Sequence, residues 1–501
     1  MVAASMSAAA PPPPLNQEAS LASPSAVESP ASRQPLLPMW TGRPHVPWLW
    51  VVLFAFPAFS NTLMDSISGA ALTFTMKKFI SDPALITFLG SANIAFNFLV
   101  APWAAWKSDH IWTRWGRRRP FLLIGWSLLF LSLICIPLAP TLSLLVTCVV
   151  ICQFAADFGY TGPWTPLYYE MIPSHQRGRA VIIKRVGTII SRLIFNMALI
   201  GQFDSVRSLD WSLGLVPGAA FKLTGEMLIY WAGALAVLLV LAQMLFLVRE
   251  SRPAHVPEPA RFNPLHYVRE LFGERQWRLL FLLMFCSLAL TAGLGQLNPL
   301  LITEQFGYSK QLYGQIQSVN LVAEMFFILP VAMFLIDRVD RFKIFQVGLF
   351  LSTAQPLAYW LFVQYMAPGH IPTPHQIIFF NLWNSVSDVA AGLALEPLLF
   401  DFVPKNKMGT VNSGFLFVRG GLSLLVFNGV GLWVKYYSGW IKPDGGFDYM
   451  SGYLYIFVIG LLGIVATQRF AYHLRSGHLI MYGKLEEEAA ARREDPEVIL
   501  G

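Results

Sequence analysis

Asp157 to Gly178 reads DFGYTGPWTPLYYEMIPSHQRG, and the chain returns to the same pattern at Asp388 to Gly409, DVAAGLALEPLLFDFVPKNKMG, 231 positions later and without a gap. Asp157 falls on Asp388, Pro166 on Pro397 and Leu167 on Leu398. Glu170 falls on Asp401, Pro173 on Pro404 and Gly178 on Gly409. Each copy is an apolar segment with a carboxylate in its middle and an acid at its end, followed by a proline and a basic turn. Two apolar helices that resemble each other by chance share only their background; here prolines and acids coincide as well. The repeat therefore predicts two homologous halves, half a chain apart.

The surrounding composition fixes the solvent. Of 501 residues, 55% are hydrophobic and 13% charged, with 38 Phe and 16 Trp. So few charges exclude an ordinary soluble protein of this length. Runs of about 20 apolar residues recur, each long enough to cross a bilayer as a helix. Twelve such spans can be drawn, at roughly 47–76, 84–106, 120–139, 141–171, 179–203 and 224–248, then 279–303, 311–336, 343–366, 374–403, 411–436 and 450–472. The fold class expected is an all-α membrane protein with two six-helix halves related by a pseudo-twofold axis. Its expected parts are an Ala-, Pro- and Ser-rich tail over 1–44 that cannot bury a core, a first half over 45–248, a linker over 249–278, a second half over 279–472 and a charged tail over 473–501. No charged region precedes an apolar one near the start, so a cleavable signal peptide is not expected. Cys135, Cys148, Cys152 and Cys286 lie inside apolar runs and read as small buried residues.

The net charge of +7 sits in alternate loops. The loop after the second span holds Lys107, Arg114, Arg117, Arg118 and Arg119, whereas the turn after the third and the loop after the ninth have no Lys or Arg. Basic loops and both termini are therefore expected on the cytoplasmic side of the plasma membrane, or of the inner membrane in a bacterium. The bilayer accounts for these charges, and no nucleic-acid partner is expected. Twelve spans in parallel halves are the architecture of secondary transporters of the major facilitator type.

Specific stretches carry a closer resemblance. SDHIWTRWGRRRP (108–120) resembles the loop signature of major facilitator transporters, with a weaker partner in DRVDRFK (337–343). The run Arg117-Arg118-Arg119-Pro120-Phe121 is similar to that of the glycoside–pentoside–hexuronide:cation symporters and the related sucrose transporters. GPWTPLYYEMIPSHQRGRAVIIKR (162–185) resembles their span-four exit, and VRGGLS (418–423) their span-eleven Lys-Gly-Gly, with Arg419 in place of the Lys. The acids depart from that pattern: Asp157 and Asp65 each lie about one helical turn from the family positions, which keeps the face but not the ligand set. The coupling ion is accordingly open between a proton, which is favoured, and sodium.

Ionisable groups inside spans cost about 2.5–3.5 kcal/mol each on insertion scales, so they face a cavity or a partner. Asp65 and Asp157, with Arg185 and Arg192, are the candidates for proton or cation coupling. A permanent ion pair of Asp157 with Arg185 or Arg192 is the alternative. Sugars need paired donors and acceptors and an aromatic ring against their apolar face. Candidates are Tyr160, Trp164, Gln296, Asn298, Asn320, Trp383, Asn384, Asp388 and Arg419, each of which could equally serve packing or interhelical bonding. Asp388 could instead cap a kink near Gly392, and Glu324 could pair with Arg419 or line a crevice. The resemblance implies a cytoplasmic gate in which Glu170 and Asp401 pair with Arg117 or Arg341 near Asp109 and Asp337. Arg114 and Arg177 stand in the same turns.

The expectation is proton-coupled symport of a glycoside, a disaccharide such as sucrose or maltose, by a monomer that rocks about a central site. Carriage of a peptide, muropeptide or organic anion, or a non-transporting sensor of the same fold, are the rivals. No Gly-rich phosphate loop ending in Lys-Ser or Lys-Thr is present, so an ATP motor and an enzyme are not expected. The nine His are scattered, and neither a cofactor nor a metal site is expected.

Overall fold

A computed structural model describes residues 39–40, 46–109, 111–172, 176–209, 221–250, 273, 293–336, 338–400, 402, 408–441 and 446–477. Eight helices among them are long and apolar enough to cross a membrane. They are α1 (Trp48–Lys77), α2 (Pro83–Ala104), α3 (Arg119–Leu138), α4 (Leu142–Thr161), α6 (Gly225–Phe246), α8 (Lys310–Ala332), α11 (Phe417–Ile441) and α12 (Tyr449–Arg475). Between them lie α5 (Arg177–Ile194), the short α7 (Leu297–Leu300), α9 (Arg341–Tyr365) and α10 (Pro374–Phe400). The chain is an all-α membrane protein. Several helices begin where the sequence supplies an oxygen to cap them: Thr141, Thr224 and Ser309 accept from the N–H groups of Leu144, Met227 and Leu312. Strand pairing is marginal. Val206–Leu209 pairs with Phe221–Thr224, and Met39–Trp40, placed in the tail by sequence, pairs with Val248–Arg249.

Large apolar side chains such as Leu99, Ile124, Leu131, Leu239 and Phe246 point outward, as a lipid-facing surface requires. Inside, small residues let helices meet backbone to backbone. A Cβ on Gly125 of α3 would stand 2.6 Å from the Cα of Gly159 on α4, so only glycine permits this crossing.

Among the described residues, five helices widen locally to a π turn: Ile67–Ala71, Asp157–Thr161, Phe195–Leu199, Leu301–Gln305 and Glu324–Ile328. Each inserts a residue and re-aims the side chains beyond it, a feature common at functional sites. Asp157 and Glu324 open two of these turns, while Asp65 and Arg192 stand within three residues of two others.

The two membrane faces are held differently. On the face bearing the 107–121 turn, the Glu250 carboxylate accepts from the backbone N–H groups of Arg117 (3.1 Å), Arg118 (3.1 Å) and Arg119 (2.8 Å), capping the start of α3. Gly116, at φ 109°, gives the turn room, since a Cβ there would lie 2.8 Å from that carboxylate. On the opposite face three lysines join segments before residue 250 to segments after 293. Lys77 meets Glu304 at 2.9 Å and Tyr449 Oη at 3.0 Å, Lys310 meets Asp204 at 2.5 Å, and Lys435 meets Asp82 at 2.5 Å.

Candidate functional site

Asp157 is set by two helices. It is 2% exposed, and its Oδ1 accepts from Asn97 Nδ2 of α2 (3.0 Å) and from Thr161 Oγ1 at the end of its own π turn (2.9 Å). Its Oδ2 is buried with no protein partner, as are both amide atoms of Gln153 one turn earlier. Asp65 accepts from Asn61 Nδ2 at 3.2 Å and stands within electrostatic reach of both Arg192 and Asp157.

No ion pair joins Asp157 to either arginine. Arg185 Nη2 lies 3.6 Å from Glu324 Oε1 instead. α5 packs against α1 and also touches α8, which aims its basic side chains between the two, whereas Asp157 turns toward α2. Glu324 thus pairs with Arg185, not with Arg419. Arg419 is exposed on the long α11 helix and lines none of the three cavities that meet at Arg192.

The smallest of these cavities, about 110 Å³, lies among Thr62, Arg185, Thr188, Arg192 and Glu324. A second, about 370 Å³, is lined by Gln296, Asn196, Tyr313, Gln317 and Phe427 as well as Arg192. The third, about 440 Å³, shares Arg192, Gly295, Gln317 and Leu321 with the second and is the most polar in its lining residues. α8 offers it Gln317, Asn320 and Glu324, at helical spacing. α10 offers Asn381, Asn384, Ser385 and Asp388, again on one face. Asn298, Ser352, Gln355 and Tyr453 complete the polar wall. Asn384 Nδ2 donates to Asp388 Oδ2 at 2.9 Å. Asn320 Oδ1, Asn381 Nδ2, Asp388 Oδ1 and, in the neighbouring cavity, Gln296 Oε1 are buried without a protein partner. Donors and acceptors left open side by side suit hydroxyl groups, which do both.

The structure thus gathers Gln296, Asn298, Asn320, Asn384 and Asp388 around linked cavities, and adds Gln317, Ser352, Gln355, Asn381 and Tyr453. It does not bring the expected aromatics there. Trp164 is fully buried between Trp126 and Tyr168. Tyr160 packs on the core, and Trp383 donates from Nε1 to the Leu351 carbonyl while stacking on Phe380. None of these three lines the linked cavities; Tyr453, Tyr313 and Phe427 do.

At the other expected site, Glu170 pairs with Arg117 and with Arg118 at 2.9 Å. Arg118, 4% exposed, is the more buried of the two; the sequence marks it only as one of a basic run, and Glu250 does not stand out there. Arg114 lies over the Trp115 ring and Arg341 is exposed at the start of α9. Asp337 and Asp401 lie outside the described residues, as do the side chains of Asp109 and Arg177.

A family model described as Major Facilitator Superfamily matches residues 54–427. No curated protein matches the sequence. Solved structures with a similar fold include the nucleoside transporter NupG (14% identity, 85% of this chain and 98% of that one, TM-score 0.61). Others are a POT family transporter in complex with 5-aminolevulinic acid (14%, 87% and 98%, TM-score 0.62) and a D-xylose-proton symporter (16%, 85% and 97%, TM-score 0.58).

Proposed function

Because this chain belongs to the major facilitator superfamily, we propose that it is a proton-coupled symporter of a glycoside, a disaccharide such as sucrose or maltose. The observation that carries this reading is the 440 Å³ cavity walled by amides, with open donors and acceptors at Asn381, Asn320 and Asp388. Such a wall matches the alternating hydroxyls of a sugar, with Tyr453 as the aromatic face. Asp157 and Asp65 are the coupling acids in this account. Asp157, a mid-membrane carboxylate without a cation beside it, is costly as an ion and is relieved by a proton. Arg192, at the junction of the cavities, senses the charge on Asp65 and touches the solute chamber, which links the two events. Glu170 with Arg117 and Arg118 forms the cytoplasmic latch, the lysine pairs close the outer face, and both termini lie in the cytoplasm. The protein works as a monomer in the plasma membrane, without a cofactor.

The same Arg192 favours a second reading, a solute bearing a carboxylate. One experiment separates them: uptake of labelled sucrose, maltose, melibiose and 5-aminolevulinic acid into vesicles, with a pH or a sodium gradient imposed separately. Sugar uptake accelerated by the pH gradient supports the first reading and uptake of the acid alone supports the second. Acceleration by neither gradient rejects symport.

A further inference from the structure

The repeat of 157–178 at 388–409 has a chemical counterpart in the structure. Asp157 and Asp388, equivalent in the two copies, share one bonding state. Each has one carboxylate oxygen bonded to an asparagine amide, Asn97 for Asp157 and Asn384 for Asp388. Each has its other oxygen buried with no partner. Neither has a lysine or arginine within ion-pair distance among the described residues. Around Asp388 the charged and titratable groups facing the same cavity are Glu324 from α8, Arg192 from α5 and Tyr453 from α12. α9, packed along α10, offers only Ser352, Gln355 and Pro356 there, and α7 offers Asn298. Glu324, a charge of like sign, lines the same cavity as Asp388, and Glu324 already has Arg185.

Asn320 supplies an independent sign. It is 7% exposed, lines the same cavity, and its carbonyl oxygen has no donor. Two buried acceptors, Asp388 Oδ1 and Asn320 Oδ1, therefore lack hydrogens in one chamber. Buried acceptors are normally bonded. A single proton on the carboxyl converts one of them into a donor and removes the uncompensated charge at the same time.

We propose that Asp388 is a second proton-binding carboxyl, the counterpart in the second half of Asp157 in the first. The step is a simple protonation: a proton taken from water on one side adds to the carboxylate of Asp388, and the same O–H bond breaks to release it on the other side. This rests on the proton-coupled reading above and extends it, giving each half its own proton.

The test needs no solute. pH-difference infrared spectra of the full-length protein in liposomes report the carbonyl stretch of protonated carboxyl groups. The expected result is a band lost in Asp388→Asn and displaced in Asp388→Glu, and a separate band lost in Asp157→Asn. The Glu variant keeps the test decisive should the Asn variant not fold. Spectra in which no carboxyl band depends on residue 388 overturn the proposal. The outcome is separate from that of the transport reading: gradient-driven sugar uptake with no Asp388 band sinks only this inference. A band at Asp388 in a protein that ignores pH gradients leaves the site standing and removes the symport.

Discussion

Glu250→Ala should loosen the turn that carries the densest basic cluster. The carboxylate is 8% exposed and bonds three consecutive backbone N–H groups, at 3.1, 3.1 and 2.8 Å. Hydrogen bonds to a charged group contribute about 1.5–3 kcal/mol each, and amides freed in the variant recover part of that from water. The net loss should be about 3 kcal/mol, and about half of it for Glu250→Gln, which keeps one acceptor oxygen. The thermal midpoint of the purified protein, read as the loss of its monodisperse peak after heating, should fall by about 5 °C for the Ala variant. Gly116→Ala should also destabilise, through its positive φ and through the carboxylate 2.8 Å from the added carbon. In the Glu250→Ala background that second cost should shrink, because the obstructing group is gone. An unchanged midpoint in Glu250→Ala, or additive losses in the double variant, would refute the reasoning.

Gly125→Ala places a carbon 2.6 Å from the Gly159 Cα. Prying α3 from α4 should cost about 1–3 kcal/mol, visible in the same thermal assay. Arg185→Leu should impair folding or uptake by stranding Glu324 in the cavity wall, and adding Glu324→Gln should restore much of the loss; no rescue would mean that the 3.6 Å pair is incidental. Lys77→Gln with Lys310→Gln removes two of the clamps on the outer face, the second of which also lies 4.1 Å from the Phe203 ring centre. At about 0.5–1 kcal/mol per pair, a cysteine introduced at Ser385 in the cavity wall should become roughly tenfold more reactive to an impermeant thiol reagent applied from that side.

The helical spans are legible in the sequence because hydropathy and length decide them, and the acid repeat because proline and carboxylate recur in register. The amide stripe is half legible. Asn320 and Asn384 stand out, yet Gln317, Asn381 and Gln355 do not, because single amides are common between membrane helices and only the cavity shows that these face one another. The aromatic expectation fails for a local reason. Tyr160 and Trp164 are four apart, but the π turn at Asp157–Thr161 adds a residue and swings the rest of the helix by about 100°. Glu250 and the lysines of the outer clamps are hidden differently. Their partners are 106 to 372 residues away, and at helix ends a charge looks like topology until a partner is seen.

The account rests on Asp157 as a coupling acid. Asparagine has the same shape and keeps an oxygen for Asn97 and Thr161, but cannot carry the proton. A gradient of one pH unit sustains about tenfold accumulation per proton. In vesicles, Asp157→Asn should still exchange labelled sugar by counterflow while its pH-driven accumulation falls to simple equilibration; accumulation at the wild-type level would contradict the account.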